Sequence, residues 1–184
     1  LLSAVTFALG ISAARRPALL PIARRAAYAN CALVGSAILL LAYAFVTHDF
    51  RIRYVARYSD RSMSLPYLFT SLWGGQDGSL LWWLLLLSVE TTVCLAWMRA
   101  RWLALQPYVV ATLAAVMGFF AIIMMWSANP FAESIASPRA DGEGLNPLLQ
   151  NFYMIIHPPS LYLGFVSCTV PFAFAMAALA TGRL

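Results

Sequence analysis

His157 is followed at once by Pro158 and Pro159 and preceded by the run Phe152 to Ile156. A residue before proline is pushed out of the helical region, so the sequence predicts a helix ending at His157 and a bend there. A histidine held at a rigid corner offers a neutral imidazole at fixed height to a metal or haem iron, for which imidazole is the usual ligand. The competing reading is an interfacial histidine that only caps the carbonyls of a helix end. A second feature is the run Trp73-Gly74-Gly75-Gln76-Asp77-Gly78-Ser79. Its three glycines permit tight turns and close approach of a flat ligand, and Trp73 offers an aromatic face. The plainer reading is that glycine breaks one helix and Asp77 or Ser79 caps the next.

Two further features are ambiguous. Glu90 falls near the middle of an apolar stretch, where a carboxylate is costly unless paired, protonated or hydrated. It fits a proton or quinone pathway, or equally a neutral acid bonded to a neighbouring helix. Arg51, Arg53, Arg57 and Arg61 form a row able to grip carboxylates through paired N–H donors. The alternative is a solvated strand edge protected by charge. The three cysteines, Cys31, Cys94 and Cys168, are far apart and form no CxxC pair, so no dithiol chemistry is indicated.

The elements that position these residues are membrane helices. Of the 184 residues 62% are hydrophobic and only 10% charged, far below the charged share of an average soluble domain. Apolar stretches at about 1–14 (partial), 26–47, 80–98, 108–127 and 158–180 predict roughly five spans. The first is too short to cross and the chain opens on Leu1; it reads as starting inside a helix, with its true start missing. The expected fold is an all-α polytopic transmembrane bundle, one membrane domain over 1–184, with two long polar connections at 48–79 and 129–157.

All twelve cationic residues are arginine. The short connections and the tail hold Arg15, Arg16, Arg24, Arg25, Arg99, Arg101 and Arg183 without a carboxylate, whereas the long connections hold six of the seven acids. Positive-inside counting puts the short loops in the cytoplasm and the long ones outside. Arginine in this pattern sets orientation and does not signal nucleic-acid binding. Trp73, Trp82, Trp83 and Trp126 fall at the outer boundary and Trp97 and Trp102 at the inner one. Alternation over Phe50 to Tyr58 predicts a short extended piece, and Leu65, Leu68, Phe69 and Leu72 an amphipathic surface helix. Asn146 before Pro147 predicts a helix start, with Leu148, Leu149, Phe152, Tyr153 and Ile156 on one face.

The order of WGGQDGSLLWW, then SANPF, then LNPLLQNFYMIIHPPSLYLGF and a final GRL resembles the N-terminal part of the CcmF family, the cytochrome c haem lyase membrane subunits, from about Phe50 onward. The resemblance implies that His157 is one of two outward-facing axial ligands of a transferred haem b. That haem would come from a periplasmic haem chaperone and be attached to the CxxCH thiols of an apocytochrome c, with thiol-handling maturation subunits and the rest of the lyase as further partners. Trp73, Gly74, Gly75, Asp77, Gly78, Asn146, Pro158, Pro159 and Tyr162 are expected to shape or support the pocket.

The second outward histidine, the tryptophan-rich motif and the histidines for an internal haem b are expected downstream. His48 matches no motif of the family. Gln76-Asp77 stands where relatives often carry His-Glu, so no metal role passes to Gln76. The chain is expected to be part of a larger protein or one polypeptide of a split one, in the bacterial or mitochondrial inner membrane. A transporter or proton-channel subunit using Glu90, or a scaffold without chemistry, are the rival readings; transporters concentrate polar features near the midplane, and here those features lie outside.

Overall fold

The computed structural model describes residues 1–98, 101–134 and 140–182. Arg99 and Arg183, two of the arginines counted for the inner side, and residues 135–139 of the second long connection lie outside the described residues. Eight α-helices follow in order: α1 (Leu2–Ala13), α2 (Leu20–Val46), α3 (Arg53–Tyr58), α4 (Leu65–Thr70), α5 (Gln76–Trp97), α6 (Gln106–Ser127), α7 (Phe152–Ser167) and α8 (Thr169–Thr181). Four stretches are long and apolar enough to cross a membrane: Pro17–Val46, Gln76–Trp97, Gln106–Ser127 and Phe152–Thr181. The short apolar helix α1 stands where the partial first span was expected. The fold is therefore an all-α, multi-pass membrane bundle.

The expected single domain divides into two compact units, and α2, α5, α6 and α7 contribute residues to both. The first comprises Leu1–Val34, Leu84–Ile122 and Leu163–Leu184. One of its clusters is built from Cys94, Met98, Val109, Leu113, Ala173 and Ala177, another from Ala23, Ala27, Leu95 and Val110. Small residues let helices approach closely where lipid supplies no hydrophobic drive. Two polar side chains inside the unit tie segments together: Asn30 donates to Ser3 Oγ at 2.8 Å, and Gln106 donates to the carbonyls of Met98 and Arg101. Arg24 and Arg25 are not loop residues as expected, because α2 begins at Leu20 with Pro21 tolerated in its first turn. Arg24 reaches the Leu95 carbonyl at 3.0 Å, one of the α5 carbonyls that its helix end leaves unpaired.

The second unit comprises Gly35–Trp83 and Ile123–Tyr162 and holds both long connections. Three local expectations change here. The extended piece is shorter than its alternation implied: Ile52 forms one antiparallel bridge with Glu133, and Arg53–Tyr58 is helical. Phe50, Tyr54 and Tyr58 repeat at the spacing of one helical turn as well as at even spacing, and burial of the adjacent Tyr54 and Val55 decides for the helix. Asn146 caps a 3-10 turn, Pro147–Leu149, with its Oδ1 accepting from Leu148 N–H at 3.0 Å. A new helix, α7, then begins after Asn151, so the stripe from Leu148 to Ile156 is broken in two. Finally, α7 does not stop at His157 but runs through Pro158 and Pro159 to Ser167. A helix forms after Ser64 as expected, as α4 followed by a 3-10 turn over Ser71–Trp73, but its stripe divides, with Leu68 and Leu72 buried and Leu65 and Phe69 exposed.

The segment after the undescribed residues docks on the C-terminal end of α3. Glu143 N–H donates to the Ala56 carbonyl at 2.7 Å and Gly144 N–H to that of Ser59 at 3.2 Å. Asp141 Oδ1 accepts from the backbone of Arg61 at 3.0 Å and of Gly142 at 2.8 Å. Those N–H groups, Arg61's first, hold its carboxyl below the usual aspartate range.

Candidate functional site

Proline has no N–H, so Pro158 inside α7 leaves the Met154 carbonyl without its intrahelical donor. The indole N–H of Trp73 donates to that carbonyl at 3.4 Å, a long bond. An external donor of this kind offsets the missing N–H, and it accounts for the helix continuing past His157 where it was expected to end. Two more bonds tie the same pair of segments together. Tyr67 donates to the Gln150 carbonyl at 3.2 Å, and Tyr162 donates to Ser79 Oγ at 3.2 Å. Ser79 in turn donates to the Trp73 carbonyl at 3.0 Å. Rings add to this brace: Trp73 lies against Trp82 at 5.0 Å and Trp83 against Tyr162 at 5.7 Å between centroids.

Met154, Pro158 and Tyr162 repeat every four residues, so they share the face of α7 that meets the 67–79 segment. His157 lies off that face and is exposed. Among the described residues its imidazole makes no hydrogen bond and joins no group of histidine, cysteine or carboxylate side chains that could hold a metal ion. The ring is thus presented on a braced helix with both nitrogens free.

The glycine run is filled from within the chain. Tyr54, buried, donates to the Ser71 carbonyl at 2.9 Å and accepts from Gly75 N–H at 3.0 Å; burial pushes its phenol above the usual tyrosine range. A Cβ on Gly75 would stand 2.3 Å from the Tyr58 ring, and one on Gly78 would stand 2.4 Å from the Tyr54 hydroxyl oxygen. The close approach that these glycines permit is therefore to two tyrosines of α3. Gly74 faces Leu145, which is buried. Asp77 enters the first turn of α5 with its carboxylate 3.7 Å from the Arg53 guanidinium.

The structure thus brings Trp73, Asp77, Tyr162 and Pro158 into one braced unit with His157, while Gly75 and Gly78 serve its packing and Asn146 a cap. Tyr54, Tyr58 and the Met154 carbonyl were missed in the sequence. The tyrosines were visible only as a strand-like alternation, and no side-chain pattern announces a carbonyl.

Glu90 and His48 stand apart from the brace. In the first unit Ser167 donates to Glu90 Oε1 at 2.6 Å, while Oε2 is buried without a partner among the described residues. His48 follows α2 in a left-handed conformation, φ 52°.

Residues 73–183 match the family model described as cytochrome C assembly protein, a stretch that begins at Trp73 and includes His157. The cytochrome c-type biogenesis protein CcmF of Pseudomonas fluorescens is 43% identical over 148 residues, covering 78% of this chain and 22% of that protein. CcmF of Escherichia coli (strain K12) is 38% identical over 151 residues, covering 82% and 23%. A solved structure, the cytochrome c haem lyase CcmF, superposes with a TM-score of 0.77 at 30% identity, covering 99% of this chain and 29% of that one. The chain spans about a quarter of the length of the curated relatives it matches. On these grounds the chain belongs to the cytochrome c assembly protein family, as a homologue of CcmF.

Proposed function

We propose that this chain supplies part of the haem platform of a cytochrome c haem lyase, with His157 as an axial ligand to the iron of the haem being transferred. The observation that carries the reading is an exposed imidazole, free of hydrogen bonds among the described residues, on a helix fixed by two side-chain bonds, with a third holding Gln150 just before it. Imidazole with free nitrogens is competent to bind iron, and fixed height favours presenting a porphyrin edge to attacking thiols. The haem is cargo. This chain's work is to bind and orient it, and the chemistry of thioether formation belongs to the haem vinyl groups and the thiols of an apocytochrome c.

In this reading the long connections face the periplasm of a bacterial inner membrane, or its mitochondrial equivalent in a split form. A periplasmic haem chaperone delivers the haem, and thiol-handling subunits keep the acceptor cysteines reduced. The second axial ligand, and any internal haem b, belong to parts of the protein outside this chain. Trp73, Asn146, Pro158, Pro159 and Tyr162 act as positioning residues for His157.

The test is holocytochrome c formation in cells whose only copy of the full-length protein carries His157→Ala or, separately, Glu90→Gln. The reading expects loss with the histidine change and retention with the glutamate change at equal protein level. The reverse pattern would favour the proton-channel reading and sink the site assignment.

A further inference from the structure

Of the four arginines between Arg51 and Arg61, two are engaged locally. Arg51 grips Asp49 through two bonds of 2.8 and 2.7 Å, and Arg61 lies over the Phe50 ring at 5.9 Å. Arg53 and Arg57, one turn apart on α3, instead face a groove of about 410 Å³ that Tyr58, Gln76, Asp77 and Ser127 also line. Asp77 stands 3.7 Å from Arg53, beyond a normal hydrogen bond. Arg57 touches only the Tyr58 ring, at 5.7 Å. Among the described residues, the Arg57 guanidinium and the side chains of Tyr58, Gln76 and Ser127 have no hydrogen-bond partner. Four donor-bearing side chains without a hydrogen-bond partner among the described residues thus surround one space, with the Asp77 carboxylate on its wall.

The height of the groove identifies the acceptor. Ser127 is the last residue of α6, while Gln76 and Asp77 are the first two of α5, so the groove opens where two apolar spans end. Beside it Met125 and Trp126 are 72% and 83% exposed, as residues at the edge of the hydrocarbon are. We propose that the groove binds the phosphate of a membrane phospholipid headgroup, with its acyl chains along Met125 and Trp126. Two guanidinium charges against the one carboxylate of Asp77 leave a single net positive charge, which matches a phosphodiester; the two propionates of a haem bring one negative charge too many. Arginine's planar fork suits the phosphate oxygens.

The proposal does not depend on His157 binding haem. It is tested by native mass spectrometry of the full-length protein, delipidated in detergent and titrated with phosphatidylglycerol, with haem and inorganic phosphate as separate arms. One lipid is expected to bind, and Arg57→Gln to weaken it about tenfold, the scale of one charge-assisted hydrogen bond. Arg57→Lys should recover part of that loss. Because Arg57 makes no hydrogen bond among the described residues and touches only the Tyr58 ring, the lipid-free melting temperature should move little. Equal lipid binding by wild type and Arg57→Gln, or a loss confined to the haem or the inorganic phosphate arm, overturns the proposal.

Discussion

Gly75 is small because the Tyr58 ring stands where its side chain would be, and Gly78 because the Leu72 carbonyl oxygen, at 2.0 Å, and the Tyr54 hydroxyl stand there. At this scale the account makes a sharp distinction, since a glycine kept for an incoming ligand would tolerate alanine in the unliganded protein. Gly75→Ala and Gly78→Ala are each expected to destabilise by about 1–3 kcal/mol, the usual cost of overpacking. Gly35→Ala, with nothing near its added methyl, should be neutral or slightly stabilising in its helix. Thermal unfolding of the purified protein checks the series. Asp141 gives a second expectation at this scale. Its carboxyl is held below 3.8 by the Arg61 and Gly142 amides, so its contribution is complete above that pH and lost as pH falls through the lower folded value. Exchange protection of those two amides, corrected for intrinsic rates, should fall in that acid range, and Asp141→Asn should make it insensitive to pH there.

The helix α7 is the element on which the site depends, and it is held by a bond that its own sequence makes necessary. Pro158 frees the Met154 carbonyl and Trp73 takes it. Trp73→Phe removes the donor along with part of the ring, so its cost includes about 1 kcal/mol for the bond. Pro158→Ala returns an intrahelical donor to Met154, and in that background the cost of Trp73→Phe should fall by about that 1 kcal/mol, leaving the packing loss. A double-mutant cycle on stability reads this coupling directly. The spans, the Asn146 start and the helix after Ser64 were legible in the sequence because each rests on local pattern. The run through His157-Pro158-Pro159 was not, because the partner that offsets the missing N–H is far away at Trp73. The strand expected over Phe50 to Tyr58 failed for a related reason: even spacing and helical spacing coincide at Phe50, Tyr54 and Tyr58, and only burial of Tyr54 and Val55 separates them.

For the whole molecule, the proposed function requires the two long connections on the outer side of the membrane and Arg15 on the inner side. A membrane-impermeant thiol reagent applied to intact spheroplasts should label Ser62→Cys, and should label Arg15→Cys only after lysis, in a background without Cys31, Cys94 and Cys168. The family was legible through LNPLLQ and IIHPP, while the bracing around His157 was not, since it is made by backbone carbonyls and by tyrosines that belong to no motif.

The central claim, an imidazole at position 157 on haem iron, is tested most directly by the visible absorption spectrum of haem bound to the purified full-length protein, comparing wild type with His157→Gly. The account predicts that the substitution shifts or abolishes the haem bands and that added free imidazole restores them. Unchanged bands in His157→Gly, with or without imidazole, would contradict it.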